Sequence, residues 1–242
     1  MVYVMGGIHI DFAILLDFAE SEVGRRLTRN DYVIALGELG VWPETLSQLK
    51  ELSEKLNFTL LFVEGNHEHY PLLYSFAKRR MLGGTVRDVF GIYHLCRGEI
   101  YSIPTEDKEI TVAVCGGADS KDKNKRTEGV DWFSEERISG EDVDRTLENA
   151  AKHGMRVDYF LSHALSAAVK IEWNYEYLSC PVLGGEPMQI TESDYRIRDI
   201  AGSLEARMYL SAHEHIDRQF ILGGRMHRSV HKDFVRLDPP ER

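Results

Sequence analysis

The sequence has little cysteine, no long apolar run and a deficit of basic charge. Three cysteines occur in 242 residues (Cys96, Cys115 and Cys180), an odd number, widely spaced and without a C-x-x-C pair. That pattern excludes a disulfide framework and a cysteine-built zinc knuckle, and it fits a reduced, cytoplasmic setting. No apolar stretch approaches the roughly 20 residues that a membrane helix needs. Met1-Val-Tyr-Val-Met5 carries no basic segment and runs straight into Gly6-Gly7, so it does not read as a signal peptide. Lys and Arg number 29 against 39 Asp and Glu, a net charge of −10. A protein that coats long nucleic acid needs clustered cations, so that partner is not expected.

What is present is a globular composition. Hydrophobic residues make up 43% and charged residues 28%, enough apolar surface for a sizeable core and too much for a disordered chain. With no internal repeat and no low-complexity linker, residues 1–242 read as a single domain.

Short apolar runs closed by turn formers recur at Val2–Met5, Tyr32–Leu36, Thr59–Val63, Ile92–Leu95, Ile110–Val114, Tyr159–Leu161 and Met208–Leu210. Such runs predict strands buried in a sheet. Phe12, Leu15, Leu16, Ala19, Val23 and Leu27 share one helical face, with Asp11 placed to cap that helix. Leu46, Leu49, Leu52 and Leu56 repeat the period after Pro43-Glu44. Alternating strands and helices predict an α/β layered fold. Gly91 to Gly117 holds three short strands with no room for helices, which predicts antiparallel pairing, and Gly116–Ser139 reads as a long polar loop. Helix chemistry returns at Asp142–Lys152 and Asp194–Leu204. Strand-like pieces at Arg218–Leu222 and Val230–Val235 flank Gly223-Gly224, a hairpin turn.

The histidines matter for where they fall. His9 follows the first strand, Glu38 the second, Asn66 and His67 the third, His163 the Tyr159–Leu161 strand, and His213 and His215 the Met208–Leu210 strand. In an open α/β sheet, ligands bind where the loops at the carboxyl ends of the strands converge. Imidazoles, one carboxylate and an amide oxygen together suit Mn, Fe or Zn better than Mg or Ca. In His213-Glu214-His215, an extended backbone would point both imidazoles the same way and Glu214 away.

Gly6-Gly7-Ile8-His9-Ile10-Asp11, Leu36-Gly37-Glu38-Leu39-Gly40, Gly65-Asn66-His67-Glu68, Ser162-His163-Ala164 and Ala212-His213-Glu214-His215 stand in that order. They resemble the five motifs of calcineurin-like metallophosphoesterases: D-x-H, G-D, G-N-H-[DE], a lone His and G-H-x-H. Leu82-Gly83-Gly84 and Gly116-Gly117-Ala118 also resemble small bacterial and phage members. The resemblance implies a four-layer α/β/β/α sandwich of two mixed sheets flanked by helices. It further implies a dinuclear centre of two divalent metal ions, Mn, Fe or Zn. The first would be held by His9, Glu38 and His215, and the second by Glu38, Asn66, His163 and His213, with Glu38 bridging. His67 would serve the leaving group as proton donor or charge stabiliser. The implied reaction is hydrolysis of phosphomonoesters or phosphodiesters, by in-line attack of hydroxide activated between the cations. Its substrate would be a small phosphorylated molecule or nucleotide.

Three positions depart from the motifs. Gly7 stands for the aspartate of D-x-H, Glu38 for an aspartate, and Ala212 for a glycine. Losing one of two carboxylates should weaken the first site most, because anionic ligands hold together two dications roughly 3.5–4 Å apart. One bound metal instead of two, or a non-catalytic protein of this fold binding a metal, phosphate ligand or partner, is the alternative. Restoring Gly7→Asp is expected to tell the two apart. In the charged loop, Lys123 and Arg126 would meet a substrate phosphate, with Trp132 as a stacking wall.

Overall fold

The computed structural model describes residues 1–106, 108–179 and 186–239. Cys180 lies outside the described residues. The other two cysteines, Cys96 and Cys115, are free.

Three apolar runs form the centre of the first sheet, with the bounds their patterns predict. These are β1 (Val2–Met5), β2 (Tyr32–Leu36) and β3 (Thr59–Val63), paired in parallel. The crossovers carry α1 (Ala13–Glu20) and α2 (Leu46–Lys55). α1 stops short of the predicted face. Ser21 is extended, its hydroxyl accepts from Gly24 N at 3.0 Å, and a 3-10 turn follows. Val23, expected inside, is therefore 41% exposed, while Leu27 remains buried. Asp11 does not cap the helix: Phe12 is the N-cap residue of α1, and no side chain caps it.

After β3 come α3 (Tyr70–Ser75), β4 (Lys78–Met81), β5 (Gly84–Val89) and β6 (Ile92–Leu95). β6 lies parallel to β3 and antiparallel to β5. The chain then crosses to a second sheet with β7 (Ile100–Pro104) and β8 (Glu109–Cys115), which pair antiparallel. The antiparallel expectation for Gly91 to Gly117 thus holds for β7 and β8. β6 belongs to the other sheet.

The second sheet continues through α4 (Gly140–Ala151), β9 (Arg156–Ser162), α5 (Ala167–Ser179), α6 (Glu192–Ser203) and β10 (Glu205–Ser211). It ends with the hairpin β11 (Arg218–Leu222) and β12 (Arg225–Ser229), turning at Gly223-Gly224. α4 starts where Ser139 and Asp142 cap each other's backbone N–H groups, and Thr191 with Asp194 repeats the device at α6. The segment expected as one strand over Val230–Val235 instead separates β12 from the short β13 (Val235–Arg236), which pairs with β1. The orders are β13-β1-β2-β3-β6-β5-β4 and β11-β12-β10-β9-β8-β7.

Period-two alternation sorts the side chains into layers. Val2, Val4, Ile34, Leu36, Leu61 and Val63 meet Val112, Val114, Leu161 and Leu210 between the sheets. Tyr3, Met5, Val33, Ala35, Leu60 and Phe62 face outward under Leu15, Leu49 and Leu52 of α1 and α2. Ala113, Cys115, Phe160 and Tyr209 do the same under Val143, Ile197 and Ile200 of α4 and α6. The result is a four-layer α/β/β/α sandwich. Each fully buried Leu, Ile or Val contributes about 1.5–3 kcal/mol, so the inter-sheet layer fixes how the two sets of carboxyl ends face each other. Among the described residues, no helix is long and apolar enough to cross a membrane.

Candidate metal centre

The carboxyl ends of β1, β2 and β3 in one sheet and of β9 and β10 in the other converge on a cavity of about 310 Å³. His9, Glu38, Asn66, His67, His213 and His215 all line it, and buried His163 lies beneath. The backbone there is bent. Among the described residues, eight non-glycine residues have positive φ, and His9, Ile10, Glu38, His213 and His215 are five of them. A left-handed non-glycine residue costs on the order of 1–3 kcal/mol and persists where the surroundings over-determine it. Here that strain accompanies the convergence of ligand atoms.

Glu38 is the centre of the arrangement, 2% exposed. Its Oε2 lies 2.7 Å from His9 Nε2, and its Oε1 lies 3.6 Å from His67 Nε2 and 3.8 Å from His163 Nε2. Burial opposes its ionisation, yet the His9 hydrogen bond and the neighbouring imidazoles hold its pKa down at about 2. His9 Nε2 is also 2.8 Å from His215 Nε2. The His9–Glu38 hydrogen bond raises the His9 pKa, whereas burial lowers that of His215.

On the other side of Glu38, His163 sets the geometry. Its Nδ1–H donates to Leu36 O at 2.6 Å, which in the neutral ring leaves Nε2 with a lone pair. That contact needs Gly37, because a Cβ there would lie 2.2 Å from His163 Nδ1. Asn66 Nδ2 donates to Ser120 Oγ at 2.9 Å, and Ser120 Oγ donates to buried Glu136 at 2.7 Å. Asn66 Oδ1 is thereby turned to face His163 Nε2 at 3.0 Å. Two acceptors aimed at each other fit a cation between them. His213 Nε2 is buried with no hydrogen-bonding partner, and burial followed by His163 drives its pKa well below the usual imidazole value. An orphaned, neutral imidazole nitrogen is what a divalent transition metal takes.

Two groups of donor atoms, each within 4.8 Å of one another, could therefore each hold a metal ion: His9, Glu38 and His215, and Glu38, His163 and His213. Glu38 belongs to both. His213 and His215 do not act as an extended pair. Both are left-handed, and each serves a different group. Ala212 is harmless, since its φ is not positive.

A family model for calcineurin-like phosphoesterases matches residues 2–217. The chain belongs to that family. No curated protein matches it in sequence. The crystal structure of TT1561 of Thermus thermophilus is similar in fold, with a TM-score of 0.57 at 10% identity, covering 96% of this chain and 89% of that one. A putative 5'-nucleotidase from Staphylococcus aureus in complex with alpha-ketoglutarate gives a TM-score of 0.51 at 12% identity, covering 96% of this chain and 48% of that one. Members of this phosphoesterase family use divalent metals, and the two ligand groups supply suitable donors.

The residues expected around the substrate are placed differently. Arg126 pairs with Asp122 at 2.8 Å, Trp132 lies under Arg137, and neither they nor Lys123 line the cavity. Lys121 and Asp122, from the same loop, do. Lys121 Nζ is held 2.6 Å from Glu214 Oε2, and Glu214 Oε1 is 2.6 Å from buried Lys170 Nζ. Lys170 in α5, Ser120, Glu136 and His231, whose ring stacks on His215 at 5.0 Å, carry no motif signal in the sequence. A larger cavity of about 490 Å³ opens over Glu64, His94 and Arg97, but Glu64 is held by both of the others, at 2.8 and 2.9 Å, and none of the three belongs to the candidate metal groups.

Proposed function

We propose that the protein is a metal-dependent phosphoesterase acting on a small phosphorylated substrate, a nucleotide or another phosphomonoester or phosphodiester. The observation that carries this reading is the pair of ligand groups sharing Glu38. His9, Glu38 and His215 would hold one divalent ion, and Glu38, Asn66, His163 and His213 the second, with Mn, Fe or Zn matching the nitrogen-rich donors. When bound, such a pair lowers the pKa of water and offsets charge on the phosphoryl oxygens.

The chain's own residues do the rest. Lys121 brings a cation to the cavity mouth for a phosphoryl oxygen. His67, which burial keeps below the usual imidazole pKa, offers a ring N–H to the leaving oxygen from 3.6 Å beyond Glu38 Oε1. Glu68 stays out of this chemistry. It is buried, accepts from Gly40 N and Val41 N, and holds the loop that presents Glu38.

The test is hydrolysis of p-nitrophenyl phosphate and bis(p-nitrophenyl) phosphate after loading with manganese. Turnover of either, abolished by His213→Ala and by chelation, supports the proposal. Gly7, which offers no ligand, favours a second reading in which the centre binds metal or a phosphate ligand without turnover. Metal retention with no hydrolysis of either ester would support that one.

A further inference from the structure

A second cavity of about 260 Å³ adjoins the metal-ligand cavity and shares His9, Glu38 and His67 with it. Its remaining walls are Ile10, Gly40 and Trp42. Ile10 has φ 64° and is 44% exposed. A β-branched side chain is among the worst choices for the left-handed region, and one so exposed gains little burial in return. Neither backbone preference nor core packing explains an isoleucine there. A ligand does.

The opposite wall is rigid. Trp42 Nε1–H donates to His67 O at 2.8 Å, and the indole packs on His69 and Phe133 with ring centroids 5.2 and 6.0 Å away. Gly40 has φ 80° and lies under Ile10, where a Cβ would come 2.3 Å from Ile10 Cγ1. The floor is thus cleared for the isoleucine.

We propose that this cavity receives the organic group of the substrate, and that Ile10 and Trp42 select an apolar, ring-sized group over a small or charged one. The inference rests on the phosphoesterase reading above. His67 stands on the wall common to both cavities, so a group departing past His67 enters the space between Ile10 and Trp42. A dry cavity of about 150 Å³ already accepts benzene, so the room suffices for an aromatic ring or a short branched chain. The polar walls, His9, Glu38 and His67, are those shared with the metal-ligand cavity, whereas Ile10 and Trp42 line the side away from it, with the Trp42 indole N–H already taken by His67 O.

The test compares phenylphosphonate with methylphosphonate, neither of which can be hydrolysed, binding to the manganese-loaded protein by calorimetry. Wild type is expected to bind phenylphosphonate at least about tenfold more tightly, the size of discrimination a pocket gives for a few carbons. Ile10→Gly suits the left-handed backbone, so folding is preserved. It should lower the phenyl-to-methyl ratio several-fold. Trp42→Phe keeps an apolar wall and should retain most of the ratio. Equal affinities in wild type, or a ratio unmoved by Ile10→Gly, would overturn this inference alone. Binding of neither phosphonate would overturn the phosphoesterase reading, and this inference with it.

Discussion

A side chain on residue 7 and the carboxylate of Glu38 compete for the same space. A Cβ built on Gly7 would lie 2.5 Å from Glu38 Oε2 and 3.4 Å from its Cδ. Gly7 thus leaves open the space into which Glu38 Oε2 reaches, 2.7 Å from His9 Nε2, while Oε1 lies on the side of His163 at 3.8 Å.

The first prediction follows from that contact and revises the simple idea that Gly7→Asp restores the centre. Gly7→Asp alone should push Glu38 off His9 and lower manganese affinity. Glu38→Asp alone should also lower it, by drawing the carboxylate back about one C–C bond, roughly 1.5 Å. The double variant should recover affinity, with a coupling of about 0.5–3 kcal/mol. Melting of the metal-free proteins should show the same non-additivity. Strict additivity in both measurements would remove the link.

Lys170 holds the floor of the centre. Its ammonium is 0% exposed and lies 2.8 Å from Asp194 and 2.6 Å from Glu214. Lys170→Met leaves buried Asp194 without its cation and Glu214 with Lys121 alone, which should cost about 3–5 kcal/mol in chemical denaturation. Glu214 lies between His213 and His215, so metal binding should weaken in the same variant. A loss within about 0.5 kcal/mol, the range of ordinary surface substitutions, would mean that water satisfies those carboxylates.

His227 predicts an acid limb in stability, away from the metal ligands. Burial first, then Arg225, lowers its pKa from 6.5 to about 4. Between those values the unfolded chain binds a proton that the folded chain refuses, so stability rises with pH across that window. It is fully present above about 6.5 and lost as pH falls toward 4, on the order of 3 kcal/mol in all. Urea denaturation of wild type and His227→Phe from about pH 4 to 7 should show the slope reduced in the variant. Parallel slopes would assign the acid limb to other groups.

His67→Ala separates leaving groups. Phenyl phosphate needs its departing oxygen stabilised far more than p-nitrophenyl phosphate does. In the variant kcat should drop by about 10²–10⁴ for the first ester and by much less for the second. An equal effect on both would remove His67 from the leaving-group role.

Much of the fold can be read from composition and period. β1, β2 and β3 stand where their apolar runs lie, because central parallel strands are buried on both faces and leave an unbroken signal. β4 is invisible in the sequence for the opposite reason: Lys78-Arg79-Arg80-Met81 is an exposed edge with no apolar face. α5 is equally hard to see, since its buried Lys170 disguises the inner face. At the site, residue identities at strand ends are legible, and the ordered motifs contain every residue of the two clusters that the fold brings together. Distances through space are not. Trp42 lies 25 residues before His67 and touches its carbonyl, while Trp132, in the loop expected to cover the site, faces Arg137 instead. No period or spacing encodes such contacts.

The dinuclear centre is the central claim, and metal content tests it most directly. After loading with manganese and desalting, elemental analysis should find two ions per chain, with the His9–Glu38–His215 ion given up first to a chelator. His9→Ala should retain one and His213→Ala should lose the more tightly held ion. A wild-type protein that keeps one ion or none at saturation would contradict the account.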